Sequence, residues 1–293
     1  MSSSSLDGLP SELLCAIVSN LTTTSRGRIG CVTRRFKSIA ADPVVWETAE
    51  VEPTAIHIDR ALAVIGKHTM RLRVRNKQRG ICRQRFGAPH LQCHHQPPSN
   101  HQHCNCFQDA GAALVLRSCP ELRELEFPGM RQLTSATLVA IMQRTPSLTA
   151  LNLRGCVSIA TGFADAAAAV GLSEHHKIRH LDLSHVAVVD DDVVALLDRL
   201  PCLESLQVNF CSALTDAVLD ALPTTIQRVE ALGCERFSWD RMEALRQELG
   251  PTQLRCDDTE ILSIGSNSHG GGDMARSLMQ MLMSYRAEEM RRE

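Results

Sequence analysis

The sequence predicts an α/β fold in which three short N-terminal helices precede a short solenoid with parallel strands on its concave face and helices on its convex face. Two observations lead to this prediction. Apolar residues near the N-terminus recur at helical spacing. From Pro120 onward a second apolar template recurs every 23 to 30 residues, an interval that suits a stacked repeat.

The N-terminal helices are predicted from apolar stripes and stop signals. Pro10 suits a first helical turn, where its missing N–H needs no partner. The apolar positions that follow lie on one helical stripe: Leu13, Leu14, Ile17 and Leu21. Residues 22–27 are predicted to break that helix. A second stripe then runs until Asp42-Pro43 stops it: Ile29, Val32, Phe36, Ile39 and Ala40.

Residues 1–48 are too few to bury a full core alone, so we expect apolar side chains to be left for a partner surface. The spacing from Leu9-Pro10 through Arg35-Phe36 to Trp46 resembles an F-box. In that family the motif docks on the adaptor of a cullin–RING ubiquitin ligase. The resemblance implies this adaptor-binding set: Leu9, Pro10, Leu13, Leu14, Ile17, Val32 and Phe36.

Two positions depart from the family pattern. Threonines 22–24 and Arg26 lie where the family often has acidic residues, and Phe36 stands where many members have tryptophan. Neither departure removes an apolar anchor.

Residues 49–262 are assigned to the repeats. Each copy has an apolar residue, two variable residues, an apolar residue, one variable residue, an apolar residue, two variable residues and then often cysteine. The first apolar positions of five copies are Leu122, Leu148, Ile178, Leu203 and Ile226. This pattern resembles the leucine-rich repeat, in the cysteine-containing subclass that is common beside F-boxes. Cys156, Cys211 and Cys234 occupy the turn position, and we expect them to be small buried core groups rather than metal ligands.

The free positions inside each predicted strand alternate outward and should line the concave face. A polar wall of mixed charge suits a folded protein or peptide. The substrate-binding candidates are Asn152, Arg154, His180, Asp182, Gln207, Asn209, Arg228 and Glu230. The alternative is a solvated sheet face. Since neighbouring strands lie about 4.8 Å apart, Arg71 and Arg73 are expected to pair simply with Glu124 and Glu126.

A basic insertion at residues 76–107 interrupts the repeats. It holds five of the twelve histidines and four of the twelve cysteines. Three interpretations remain open: a disordered surface insertion, a zinc site, or a loop that grips phosphate groups on RNA, a phosphoprotein or an acidic partner. The zinc candidates are Cys93, His95, Cys104 and Cys106, although Cys104 and Cys106 lack the two-residue gap of common zinc knuckles.

Residues 263–293 form a tail that is predicted to be a Ser/Gly-rich flexible linker followed by an amphipathic helix. One face of that helix holds Met274, Leu278, Met281, Leu282 and Tyr285. It would either cap the last repeat, as solenoid ends require, or recognise a partner.

Composition narrows the function classes. A net charge of −2 and an aromatic content of 3% give no bias toward nucleic acid or membrane. The N-terminus lacks a secretory pattern, no apolar run reaches membrane-spanning length, and twelve cysteines in that setting indicate reduced thiols in the cytoplasm or nucleus. No catalytic motif is evident, so an enzyme is not expected.

Together the two resemblances imply a substrate-recognition subunit of an SCF-type E3 ubiquitin ligase. Its expected partners are the adaptor, the cullin and a protein substrate, and no cofactor is expected unless zinc binds residues 76–107. One alternative is a non-catalytic leucine-rich-repeat scaffold. Another is a metal- or phosphate-binding regulator that acts through the insertion.

Overall fold

A computed structural model describes residues 9–51, 66–75, 107–171, 176–250 and 253–256. In the N-terminal part, helix α1 spans Ser11–Ser19, α2 spans Thr23–Ile29 and α3 spans Arg34–Ala40. A 3-10 turn at Pro43–Trp46 leads directly into strand β1 at Thr48–Val51. The zinc candidates Cys93, His95, Cys104 and Cys106 and the predicted tail at 263–293 lie outside the described residues.

The first helix does end before the predicted break at residues 22–27, at Ser19, but most of that segment is itself a helix, α2. The Thr22 hydroxyl caps the helix by accepting a hydrogen bond from the Ser25 N–H. The predicted second stripe is accordingly divided, since α2 ends at Ile29 and the Thr33 hydroxyl caps a separate helix α3 by accepting from the Phe36 N–H.

The repeats alternate strand and helix along the chain. The strands are β2 (Arg71–Val74), β3 (Glu124–Glu126), β4 (Ala150–Asn152), β5 (His180–Asp182), β6 (Ser205–Gln207), β7 (Arg228–Ala231) and β8 (Leu254–Cys256). The helices are α4 (Asp109–Ser118), α5 (Ser135–Arg144), α6 (Phe163–Val170), α7 (Asp190–Leu197), α8 (Asp216–Asp220) and α9 (Trp239–Leu249). A further 3-10 turn lies at Gly66–His68.

The eight strands form one sheet in chain order, and the recorded pairings from β1 to β7 are parallel. The central residues of successive strands are in register and buried, and they form this apolar row: Leu72, Leu125, Leu151, Leu181, Leu206 and Val229. Burial of a continuous row across neighbouring repeats stabilises the solenoid, because one repeat cannot cover its own apolar face.

Strand β1 was not predicted as part of the sheet. Its four residues pair in register with Arg71–Val74, and Ala49 and Val51 are buried. The N-terminal helices are therefore joined directly to the first repeat. The chain consists of two compact units, Met1–Arg255 and Cys256–Glu293. Of the second unit, only Cys256 is described.

Candidate protein-binding surfaces

Helix α1 presents two distinct faces. Leu14, Cys15 and Val18 point into the helical unit and are buried. Leu13 and Ile17 lie one turn apart on the other face, and they are 53% and 46% exposed. Exposed aliphatic side chains at this spacing form a surface that a partner could cover.

The seven predicted adaptor-binding residues differ in how far they are buried. Leu14 and Phe36 are buried inside the helical unit, so they support its core instead of its surface. Leu13, Ile17, Pro10 and Val32 are exposed, with Val32 at 67%, and Leu9 is half-buried. Val44, also exposed, was not among the predicted residues. Helical spacing identified the apolar stripe but did not show which side of it faces inward.

Arg26 fixes the arrangement of the N-terminal helices. It is buried, and its guanidinium donates to the carbonyls of Leu21 at 2.8 Å and Val45 at 2.7 Å, and also to those of Ser19 and Thr48. The same group lies 5.8 Å from the centre of the Trp46 ring. Burial lowers the pKa of Arg26. An arginine that seemed a departure in a surface hinge is therefore a structural anchor.

Further hydrogen bonds join the helical unit to the sheet. The Thr23 hydroxyl donates to the carbonyl of Glu50 in β1 and accepts from the Glu50 N–H. The Thr69 hydroxyl donates to the carbonyl of Trp46 at 3.0 Å, and the Trp46 indole donates to the carbonyl of Ala40 at 2.7 Å. These bonds hold the exposed apolar surface in a fixed position relative to the first strands.

The N-terminal strands of the concave face are covered by ion pairs. Arg71 contacts Glu124 at 3.0 Å and Arg73 contacts Glu126 at 3.1 Å, as expected from the sequence. Arg75 pairs with Glu50 on the unforeseen strand β1. At the other end, Glu230 contacts Arg228 at 2.6 Å and Arg255 at 3.7 Å. Charges at both ends of the sheet are thus engaged within the protein.

Between these ends a shallow groove crosses strands β3 to β6. Ala150 and Ser205 contribute small side chains to it, and the predicted residues Asn152, His180, Asp182 and Gln207 line it. The acids Glu124 and Glu126 line it too, whereas no described lining residue is a lysine or arginine. Because Arg71 and Arg73 pair with Glu124 and Glu126, Asp182 is the lining carboxylate for which the described residues form no ion pair.

Several predicted substrate-binding residues, including two that line the groove, also form hydrogen bonds in the turns that follow the strands. Asn152 Oδ1 accepts from the Arg154 N–H at 3.0 Å, and Asp182 Oδ1 accepts from the Ser184 N–H at 2.9 Å. Asn209 Oδ1 accepts from the Leu232 N–H, and Asn209 is buried. Glu230 is also largely buried. Of the eight, Arg154, His180 and Arg228 are exposed, and Asn152, Asp182 and Gln207 are half-buried.

Two stacked aromatic rings lie in the turns after β5 and β6, each three residues beyond a groove-lining residue, Asp182 or Gln207. The centres of the His185 and Phe210 rings are 4.6 Å apart with an angle of 17° between their planes. Arg154 Nη2 lies 3.5 Å from His185 Nε2, and Phe210 is 37% exposed. The sequence prediction missed this pair. An alignment of the repeats could have found it, because His185 and Phe210 stand where neighbouring repeats have glycine.

The turn cysteines are core residues, as predicted. Burial raises the pKa of Cys156 and of Cys211 to about 12, so both thiols are protonated at neutral pH. Their Sγ–H groups donate to the carbonyls of Phe127 and Leu183 in the preceding repeats, and Cys234 likewise donates to Val208. Within the described ranges no three His, Cys, Asp or Glu side chains are placed to hold a metal ion.

No described helix combines the length and the apolar content that spanning a bilayer requires.

Two comparisons with known proteins gave matches. An F-box-like family model matches residues 6–50. A chain in the crystal structure of the Rad7 and Elc1 complex in yeast is similar over 71% of this chain and 44% of that chain, with 15% sequence identity and a TM-score of 0.47. The protein thus spans less than half the length of that chain. Residues 6–50 match an F-box-like domain, and a solenoid of alternating strands and helices follows it.

Proposed function

We propose that this protein is the substrate-recognition subunit of an SCF-type E3 ubiquitin ligase. The observation that supports this most directly is that four aliphatic side chains of the F-box-like domain are exposed: Leu13, Ile17, Val32 and Val44. When a partner covers aliphatic side chains that are otherwise in contact with water, the free energy of the system falls. Exposed aliphatic side chains on a small helical domain therefore favour binding of a partner. The adaptor of the ligase is the partner that an F-box-like domain implies.

In this proposal the protein performs no chemistry itself. The adaptor and cullin link the F-box-like domain to the ubiquitin-conjugating enzyme, which carries ubiquitin as a thioester. The solenoid binds the substrate. Holding a substrate lysine near the thioester raises its effective concentration, and this accelerates transfer. The fixed connection through Arg26, Thr23 and strand β1 supports such a role, because a rigid link preserves the distance between the two bound proteins.

A double substitution, Leu13→Asp with Ile17→Asp, tests the adaptor contact. Loss of two aliphatic anchors that each contribute about 1.5 kcal/mol should weaken adaptor binding by on the order of 100-fold. The measurement is co-purification followed by titration with purified adaptor. The domain should remain folded, because both side chains point away from its interior.

The matched control places the same charges on exposed valines of the repeats, as Val170→Asp with Val189→Asp. This variant should bind the adaptor as tightly as wild type does. If a folded wild-type protein binds no adaptor, the protein is better described as a leucine-rich-repeat scaffold, and the ligase assignment is wrong.

A further inference from the structure

Two repeats have a non-glycine residue where their neighbours have glycine, in the turn that follows the strand. In every repeat from β3 to β7 the chain adopts a left-handed conformation three residues after the second outward-facing residue of the strand. The φ values are 70° at Gly129, 72° at Gly155, 59° at His185, 60° at Phe210 and 68° at Gly233. Glycine tolerates this conformation, whereas a residue with a Cβ adopts it at a cost of roughly 1 kcal/mol.

The two non-glycine residues gain a specific arrangement from this strain. The Phe210 ring stacks on His185 on one side and lies close to Gly233, where an added Cβ would be 2.5 Å from Phe210 Cδ1. The ring is therefore held between two repeats while more than a third of the residue is exposed. Strained positions that orient exposed side chains are concentrated at binding sites.

Asp182 lies on the strand that leads into the His185 turn and supplies a negative charge beside the ring stack. The groove acids Glu124 and Glu126 are paired with arginines, whereas no ion pair to Asp182 is present among the described residues. Burial and the Arg154 guanidinium lower the pKa of His185, while Asp182 raises it. The His185 ring is therefore predominantly neutral at pH 7 and leaves the Asp182 charge available.

We infer that the central groove and the His185–Phe210 stack form one recognition surface for an extended peptide segment that pairs a basic side chain with Asp182 and packs an apolar side chain on Phe210. This inference rests on the proposed function only in that the segment belongs to a ubiquitination substrate. The Asp182 carboxylate favours a basic over an acidic side chain at this point of the groove. Aromatic or aliphatic side chains suit the exposed ring.

Two substitutions separate recognition from folding. Asp182→Asn removes the charge but keeps the turn, because Asn152 makes the same Oδ1 bond to the backbone in the neighbouring repeat. Phe210→Gly removes the ring and installs the residue that the same turn has in three other repeats. Both variants should unfold within a few degrees of wild type.

The probes are immobilised twelve-residue peptide libraries with two fixed residues at variable separation and all other positions randomised. One library fixes arginine and phenylalanine, the second glutamate and phenylalanine, and the third arginine and alanine. Full-length wild-type protein should retain the first library in preference to the other two. Each substitution should weaken that retention by about fivefold, the effect of losing one partly exposed charge pair or ring contact.

Asp191→Asn is the matched control, since it removes an exposed carboxylate from helix α7 outside the groove. It should leave library retention unchanged. Selection of the glutamate library with loss on Arg154→Ala would overturn the inference in favour of an acidic peptide. Equal retention of all libraries, no retention at all, or insensitivity to both groove substitutions would also overturn it.

Adaptor binding on the same preparations distinguishes this inference from the proposed function. Asp182→Asn and Phe210→Gly should bind the adaptor normally, because the F-box-like surface is untouched. A protein that selects the arginine library but binds no adaptor would keep the recognition surface and lose the ligase role.

Discussion

Arg26 shows how strongly one residue can determine the arrangement of the N-terminal unit. Its guanidinium binds carbonyls at the ends of α1 and of the Pro43–Trp46 turn and at the start of β1. A guanidinium provides five donors in a rigid plane, so it can satisfy several backbone acceptors that would otherwise be buried without partners. Lysine could not reproduce this pattern, because it is a compact donor on a flexible stem.

Replacing Arg26 with alanine should therefore destabilise the F-box-like domain by roughly 2–4 kcal/mol, because buried carbonyls lose charge-assisted hydrogen bonds and a cavity forms beside Trp46. Urea unfolding monitored by tryptophan fluorescence in a Trp239→Phe background measures the change, since Trp46 is then the remaining tryptophan and reports on this domain. The exposed Arg34→Ala serves as control and should change stability by less than about 0.5 kcal/mol. Equal stabilities of the two variants would show that Arg26 is not an anchor.

At the scale of the elements, successive helices are held together by acidic residues at their N-terminal ends. Asp109 on α4 accepts from the N–H and hydroxyl of Thr134 and from the hydroxyl of Thr137, and Asp190 on α7 accepts from the N–H and hydroxyl of Thr215. The left-handed turns after the strands also join neighbouring repeats, since the Gly129 N–H donates to the carbonyl of Arg154 and the Gly155 N–H donates to that of Ser184.

The turns provide a direct comparison of backbone strain with side-chain packing. Gly129→Ala should cost about 1 kcal/mol, because its φ is 70° and an added Cβ meets nothing within 4 Å. Gly233→Ala has nearly the same φ but places its Cβ against Phe210, so overpacking should raise the cost to roughly 2–3 kcal/mol.

A double-mutant cycle isolates the packing contribution. In a Phe210→Gly background, Gly233→Ala should fall back to about 1 kcal/mol, because only the strain is left. Denaturant unfolding of the four proteins gives the coupling energy. A Gly233→Ala cost that is the same in both backgrounds would mean that the Phe210 ring does not occupy the space above Gly233.

For the whole molecule, the free energy of unfolding should depend on pH through two histidines. Burial lowers the pKa of His176, and burial together with Arg154 lowers that of His185 against the opposing effect of Asp182. The unfolded chain binds protons on these residues near pH 6.5, whereas the folded chain resists protonation. The unfolded state therefore binds more protons as the pH falls, and stability decreases.

Thermal unfolding between pH 8 and pH 5 should show a melting temperature that is nearly constant above pH 7 and falls below it. His176→Gln should reduce this dependence, because it removes one of the two groups. Asp109 adds a further loss at lower pH: burial alone would raise its pKa, but hydrogen bonds from Thr134 and Thr137 lower it. A melting temperature that rises on acidification from pH 7 to pH 5 would contradict the assignment.

Several features followed from spacing because they depend on neighbours in the repeat pattern. The buried strand residues, the core cysteines, and the pairs Arg71–Glu124 and Arg73–Glu126 all lie where the template places them. The parallel stack brings equivalent positions of successive repeats together, so the period alone determines such contacts. Helical spacing also selected Leu13 and Ile17, which share one exposed face.

Other features were decided by contacts between segments that no single pattern relates. Leu14 and Leu13 are adjacent and chemically identical, and only packing against the rest of the helical unit buries one and exposes the other. The burial of Arg26, the addition of β1 to the sheet, and the stacking of Phe210 on His185 likewise depend on where distant chain segments meet. The sequence by itself determined the repeating architecture, because periodic burial is a local property; the tertiary structure decided which side chains are offered to partners, because exposure depends on everything packed around them.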